Sequence, residues 1–300
     1  MISRSAHPII HLNSNVRRWA AVILTATIGC SEATTITAPV TRTIFAGFDT
    51  SIYPGDAALQ AWMKPGSPYE WVGYYLQAPC HRDGTWSGKR ATLTGMGWGF
   101  AVIYVGQQTF DGVAAIDSAA TTGSVATLSA TTGSAHAILV EDKGAAPTCS
   151  RTLLSREQGL AEADDAIAKT AAEGFPAGSV IYLDLERMEA ITPAMEAYYG
   201  AWIERILSDG RFFPGIYCHK FNAASIHARA SEILRGAGVS RRIPFWIASS
   251  AGFAIDKHPT DVGFDFASAW QGILDTNQMW SGVTIHIDVD IADSHSPSAP

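Results

Sequence analysis

The chain has 300 residues, 47% of them hydrophobic, which suffices for one large core, and single α/β barrels often have about 250 residues. A formal net charge of -7 and the lack of any long Lys/Arg run exclude the electrostatic footprint of a nucleic-acid binder. One domain is expected, with boundaries near 43 and 293.

At the N-terminus, Arg4, Arg17 and Arg18 precede an apolar run from Trp19 to Ile28 that ends in Gly29 and Cys30. This is the layout of a signal peptide over residues 1–30. The run is about ten residues, well short of the ~20 that a membrane-spanning helix needs. Thr27-Ile28-Gly29-Cys30 resembles a bacterial lipoprotein cleavage box, with Thr27 where Leu is usual. Cys30 is therefore a candidate lipid anchor, beside the plainer reading of a secretory signal, and Arg17-Arg18 hints at twin-arginine export. Either reading places the mature chain outside the cytoplasm, with residues 31–42 as a linker.

From Ile44 onward, short apolar runs alternate with helix-like segments. Eight strands are expected: 44–49, 71–77, 100–106, 180–186, 214–219, 243–248, 267–271 and 284–290. Several are apolar throughout, as parallel strands covered by helices are. Between them, Asp56 reads as the cap of a short helix holding Leu59, Trp62 and Met63. Ser155 with Gln158 fits a capping box, and Gly174 ends that helix. Thr192-Pro193 opens a helix whose Met195, Tyr198, Tyr199, Trp202, Ile203 and Ile206 form one apolar face, closed by Asp209-Gly210. Asn222 opens another, ending near Gly236. The alternation predicts an α/β fold, a (β/α)8 TIM-like barrel of one domain.

The segment 107–152, between the third and fourth strands, is too long for an ordinary connection. It holds an echo, Ala120 to Ser124 and Ala130 to Ser134, read as two short turns. Residues 294–300 read as a disordered tail. Of the cysteines beyond Cys30, Cys80 and Cys149 lie in loop-like sequence and form a candidate disulfide, whereas Cys218, inside a strand, reads as a buried thiol.

Candidate chemistry begins at Tyr182-Leu183-Asp184-Leu185-Glu186. The period of two sends Asp184 and Glu186 to one side of the strand, at the C-terminal end where such barrels build active sites. Like charges held close raise one another's pKa, so one acid can stay protonated as a general acid. The alternative is that both cap the next helix or pair with Arg187. Asp49 ends the first strand, and Asp288 and Asp290 end the last. Strands one and eight are neighbours in a closed barrel, so these acids are expected at the same mouth, an arrangement characteristic of glycosidases.

Gly47-Phe48-Asp49, Tyr182 to Glu186, Trp246-Ile247-Ala248, Trp270-Gln271 and Asp288-Val289-Asp290, in that order, resemble the family 25 glycoside hydrolases, barrel lysozymes acting on peptidoglycan. The chain is more similar still to their relatives, the glycoside-hydrolase-like domain family long grouped as a domain of unknown function. The resemblance implies that Glu186 is the proton donor, Asp184 its partner carboxylate, and Asp49 and Asp288 supporting acids. It implies an exported protein acting on or binding a polysaccharide such as peptidoglycan; carboxylate chemistry needs no cofactor and no metal, and a monomer is expected. The chain departs from the family at Asp290, where the pattern is more often Asn, and in the long 107–152 segment.

Aromatic faces match the C–H faces of sugars. Trp86, in the loop after the second strand, is expected to be the sugar platform. Trp246, Trp270 and Gln271 are further candidates, and Tyr217 and His219 share one side of the fifth strand as hydrogen-bonding candidates. The cluster His286, Asp288, Asp290, Asp293 and His295 fits neither a His-Glu-x-x-His pair nor a calcium loop, so it reads as a strand end running into a polar tail. No Gly-x-Ser-x-Gly elbow occurs, and Gly95, Gly97 and Gly99 precede a strand, unlike a phosphate cradle. The rival to a glycosidase is a non-catalytic carbohydrate-binding barrel that keeps the same aromatics and acids.

Overall fold

A computed structural model describes residues 43–111 and 149–300. The expected signal peptide, Cys30, the linker up to 42 and both copies of the Ala-Thr-Thr-Gly-Ser echo lie outside the described residues.

Strands β1 (Phe45–Asp49), β2 (Tyr69–Leu76), β3 (Gly99–Val105), β4 (Val180–Leu185), β5 (Phe213–His219), β6 (Phe245–Ala248), β7 (Ala267–Trp280) and β8 (Val283–Ala292) close into a barrel in sequence order. Five α-helices are described: α1 (Asp56–Trp62), α2 (Arg90–Met96), α3 (Arg156–Ala172), α4 (Pro193–Asp209) and α5 (Lys220–Gly236). The chain is thus a single-domain α/β barrel of the TIM type. Apolar residues on one side of each strand fill the layer beneath the helices, as Phe48, Tyr74 and Tyr104 do, while the other side fills the barrel.

One strand breaks the parallel scheme. β8 runs antiparallel to both β7 and β1. No helix joins β7 to β8; the two form a long hairpin that pairs as far as Trp280 and Val283. The expected β7 ended at Gln271, because its outer half is mostly exposed and lacks the unbroken apolar run by which the other strands were recognised. The reversal matters for the site. The register sets Asp288 opposite Asp49 and Asp290 opposite Gly47, so Asp288 reaches the mouth because β8 descends from it, not because the strand ends there.

The helix starts differ in detail from expectation. Ser155 accepts the Gln158 amide, but the Gln158 side chain does not reach back to complete a capping box; it donates to Glu162. Thr192 and Pro193 open α4 as their chemistry requires, and Gly210, with φ 74°, closes it. α5 begins at Lys220, two residues before Asn222, because the His219 ring accepts the Phe221 amide as cap. Asn222 instead clamps both backbone groups of Met188. Gly55 occupies the cap of α1, and Asp56 is its first residue, bonded to Tyr53 and Lys89.

The C-terminal segment 294–300 is not a loose tail. β3 and β4 pair only from Val102 onward, so their lower ends are splayed. Ser298 fills the gap like a strand: its N–H donates to Phe100 O, its carbonyl accepts from Val180 N, and its hydroxyl accepts from Val102 N at 2.7 Å. Tyr182 reaches down to Pro297 O from inside the barrel. Gly99 permits this approach, since a Cβ there would lie 1.8 Å from His295 O. The segment is polar and rich in Ser and Pro, and much of its order comes from backbone groups that β3 and β4 leave unpaired.

Candidate active site

The barrel interior is built in layers. Trp71, Tyr182 and Trp246 form an aromatic floor: the Trp246 ring lies 5.5 Å from Trp71 and 5.9 Å from Tyr182, edge to face in both cases. Gly47 makes room, because a Cβ there would sit 2.2 Å from the Trp71 ring. Above the floor, Trp246 Nε1 donates to Asp290 at 2.9 Å, and the Asp290 carboxyl also meets that of Asp49. Trp246, expected to touch sugar, is wholly buried here as support for the acids.

The next layer holds the polar constellation. Tyr75 donates to Asp49 Oδ1 at 2.6 Å, and Gln271 Nε2 donates to Asp49 Oδ2 at 2.7 Å and to Asp288 Oδ2 at 3.1 Å. Tyr217 OH donates to Gln271 Oε1 at 2.7 Å, which fixes the amide with its N–H groups toward the acids. Asp288 also accepts from the Asp275 amide, at a residue of positive φ where the hairpin bends. Asp184, one strand over from Tyr217, is buried with Oδ1 unpartnered. Glu186 lies just past the end of β4, exposed at the rim.

The fold thus brings Asp49, Asp184, Glu186, Asp288 and Asp290 together from β1, β4 and β8. Among the described residues no lysine or arginine forms an ion pair with any of them. Their acidities follow. Burial, then the charges of Glu186 and Asp49, hold the Asp184 carboxyl well above the usual range. Glu186 is also raised: the residue is exposed at the rim, but protein packed around its carboxyl and the Asp49 charge together outweigh the Arg187 amide. Asp288 is pushed up to about 8, by burial first and then by Asp49. Asp290 is held well above its ordinary value by the same two causes. Burial also raises Asp49, but the Tyr75 and Gln271 donors oppose it, so Asp49 is the best-supported anion of the group. The arrangement offers neutral acids that can donate protons beside a carboxylate stabilised by hydrogen bonds. Among the described residues no group of three His, Cys, Asp and Glu side chains is suited to hold a metal ion.

Two expected platform residues are elsewhere. Trp86 is fully buried between Tyr53 and Tyr74, its Nε1 bonded to Thr50 O, so its face is closed to a sugar. The flanking turn folds it under the loop, a tertiary contact invisible in the local sequence. Trp270 points away from the barrel interior onto Phe253 and donates to Ser249 O. His219 is half-buried at the rim with Nδ1 committed to the α5 cap, and burial and Arg187 lower its pKa. Two residues were missed. Tyr75 shares the inward side of β2 with Trp71 and Gly73, so a period-two reading would have found it. Gln108 lies in a loop with no periodicity to betray it.

Comparison with known proteins agrees with this architecture. The Rv2525c-like, glycoside hydrolase-like domain matches residues 60–292. The chain belongs to that family. No curated protein matches it. Among solved structures, an uncharacterized B. stearothermophilus protein is 16% identical, with a TM-score of 0.50 over 83% of this chain and 95% of that one, a likeness of fold. The Tat-secreted protein Rv2525c of Mycobacterium tuberculosis, crystallised with L-tartrate, is 14% identical, with a TM-score of 0.42 over 83% and 95%. The spore cortex lytic enzyme SleM of Clostridium perfringens is 10% identical, with a TM-score of 0.47 over 84% and 68%. The glycoside hydrolase-like barrel found in the sequence is therefore the family of this chain.

Proposed function

We propose that this glycoside hydrolase-like domain hydrolyses O-glycosidic bonds of a cell-wall polysaccharide such as peptidoglycan, outside the cytoplasm. The observation that carries the reading is the meeting of carboxyl groups from β1, β4 and β8 in one barrel mouth, with no lysine or arginine ion-paired to them among the described residues, where burial and mutual charge raise their pKa values. Glu186, at the rim and with a raised pKa, protonates the leaving oxygen. Asp184 beneath it directs water or orients a substrate N-acetyl group onto the anomeric carbon. Asp49, steadied by Tyr75 and Gln271, stabilises positive charge developing on the sugar, and Asp288, which shares the Gln271 donor, supports it. Tyr217 holds Gln271 in register and His219 stands at the entrance. Export follows from the charge and apolar pattern of residues 1–30, with Cys30 as the candidate anchor, and the chain is taken to act as a monomer.

The test is sugar release from purified peptidoglycan and a panel of other glycans. Glu186→Gln should abolish it, and undiminished release would remove Glu186 from its role. Retention on a glycan without turnover, unchanged in Glu186→Gln, would instead mark a carbohydrate-binding barrel.

A further inference from the structure

Gln108 follows the end of β3 and is 1% exposed. Its Nε2 donates to Asp184 O at 2.9 Å and to Gly106 O at 3.3 Å, and its Oε1 accepts from Glu186 N at 3.1 Å. One side chain therefore bonds the peptide groups on both sides of Leu185. Those two bonds substitute for a strand partner where β3 has already ended, since the β3–β4 register stops at Val105 and Asp184. They set where β4 stops and how Glu186 leaves it.

The loop that carries Gln108 has its own anchor. The neighbouring Gln107 accepts from Ser150 N at 2.8 Å, donates its side-chain amide to the buried Glu162, and donates its backbone N–H to Tyr198 OH at 3.0 Å. Asp111 accepts from the Ser150 hydroxyl and the Arg151 amide. Beside Ser150, Cys149 is joined to Cys80 by a disulfide, and Cys80 N donates to Val105 O at 3.1 Å. The crosslink thus ties the turn after β2 and the end of β3 to the Cys149–Ser150 stem, and Gln107 and Gln108 sit between them. Both sulfur-bearing residues are buried.

We infer that Gln108 is a positioning residue for the Asp184–Glu186 pair, and that the Cys80–Cys149 crosslink holds Gln108 in place, so that the pair is set only when the crosslink is intact. The inference rests on the catalytic reading of these acids, but its geometric part is separable from it. Gln108 bonds neither carboxyl group and is almost wholly buried. It acts through the backbone.

The test uses the full chain, Gln108→Leu, the double variant Cys80→Ala/Cys149→Ala, and the triple combination. Gln108→Asn, which keeps an amide but withdraws it by one methylene, serves if the leucine variant fails to fold. Amide hydrogen exchange at Glu186, measured by NMR, should quicken about tenfold or more in Gln108→Leu, because one lost hydrogen bond is worth about that factor. The double variant should move it in the same direction. The triple variant should exchange no faster at Glu186 than the faster of the other two, since both changes act through one clamp. On a glycan that the wild type cleaves, kcat should fall about tenfold or more with KM within about twofold, the signature of a displaced acid on an intact binding surface. Unchanged exchange at Glu186 in Gln108→Leu or Gln108→Asn would overturn the clamp. Exchange that is normal in the double variant, or additive in the triple, would overturn the link to the crosslink. If the wild type cleaves no glycan, the proposed function fails, and the exchange measurements alone decide this inference.

Discussion

Replacing Asp184 by Asn should stabilise the protein while removing its chemistry, and the gain should depend on pH. Asp184 is 7% exposed, its Oδ1 lacks a partner, and burial with two neighbouring acids holds its carboxyl well above the usual range. A raised folded pKa fixes the sign. Below the ordinary carboxylate range, folded and unfolded chains both hold the proton, so variant and wild type should be almost equally stable. As pH rises, the unfolded side chain ionises first while the folded one keeps its proton, so the wild type loses stability through that window and the variant does not. Each unit by which the folded pKa exceeds the unfolded one is worth about 1.4 kcal/mol. In a domain of this size each kcal/mol moves Tm by roughly 2–4 °C. Thermal unfolding at about pH 8 should therefore show Asp184→Asn at least roughly 3–6 °C above wild type, with the difference nearly gone at about pH 3. A gain of equal size at both pH values, or a lower Tm at the higher one, would refute the reasoning.

Gln271→Leu removes the shared donor between Asp49 and Asp288. A hydrogen bond to a charged group is worth about 1.5–3 kcal/mol and one pKa unit about 1.4, so the Asp49 titration followed by NMR should move up by roughly one to two units. An unmoved Asp49 would show that Tyr75 alone supports it. Deleting residues 297–300 leaves Val102 N and Val180 N without partners at the splayed end of β3 and β4, at a cost of at least about 2 kcal/mol. The urea midpoint should fall while the Asp184 titration at the opposite end of the barrel stays put. An unchanged midpoint would mean that the segment is dispensable.

Much of the molecule was legible from residue order. The apolar runs located all eight strands because a barrel strand covered by helices must be apolar on both sides, and that demand is local. Asp184 and Glu186 were placed at the mouth by strand period and direction, which need no tertiary contact. What stayed hidden involved partners distant in sequence. Trp86 has the composition of an exposed platform, and only the Tyr53, Tyr74 and Thr50 contacts close it off. The segment 294–300 has the composition of a tail, and only the parting of β3 and β4 gives it bonds to make.

The eighth strand divides the two kinds of information most sharply. Its residues alone determine a strand that carries Asp288 and Asp290 two apart, and so on one side. Its direction is decided by the hairpin with β7, which turns it downward against β1 and brings Asp288 opposite Asp49 at the mouth, with Asp290 a step deeper at the Trp246 floor. Period is a property of the local backbone, whereas direction and depth belong to the closed sheet, and the acidities of these carboxyls depend on depth.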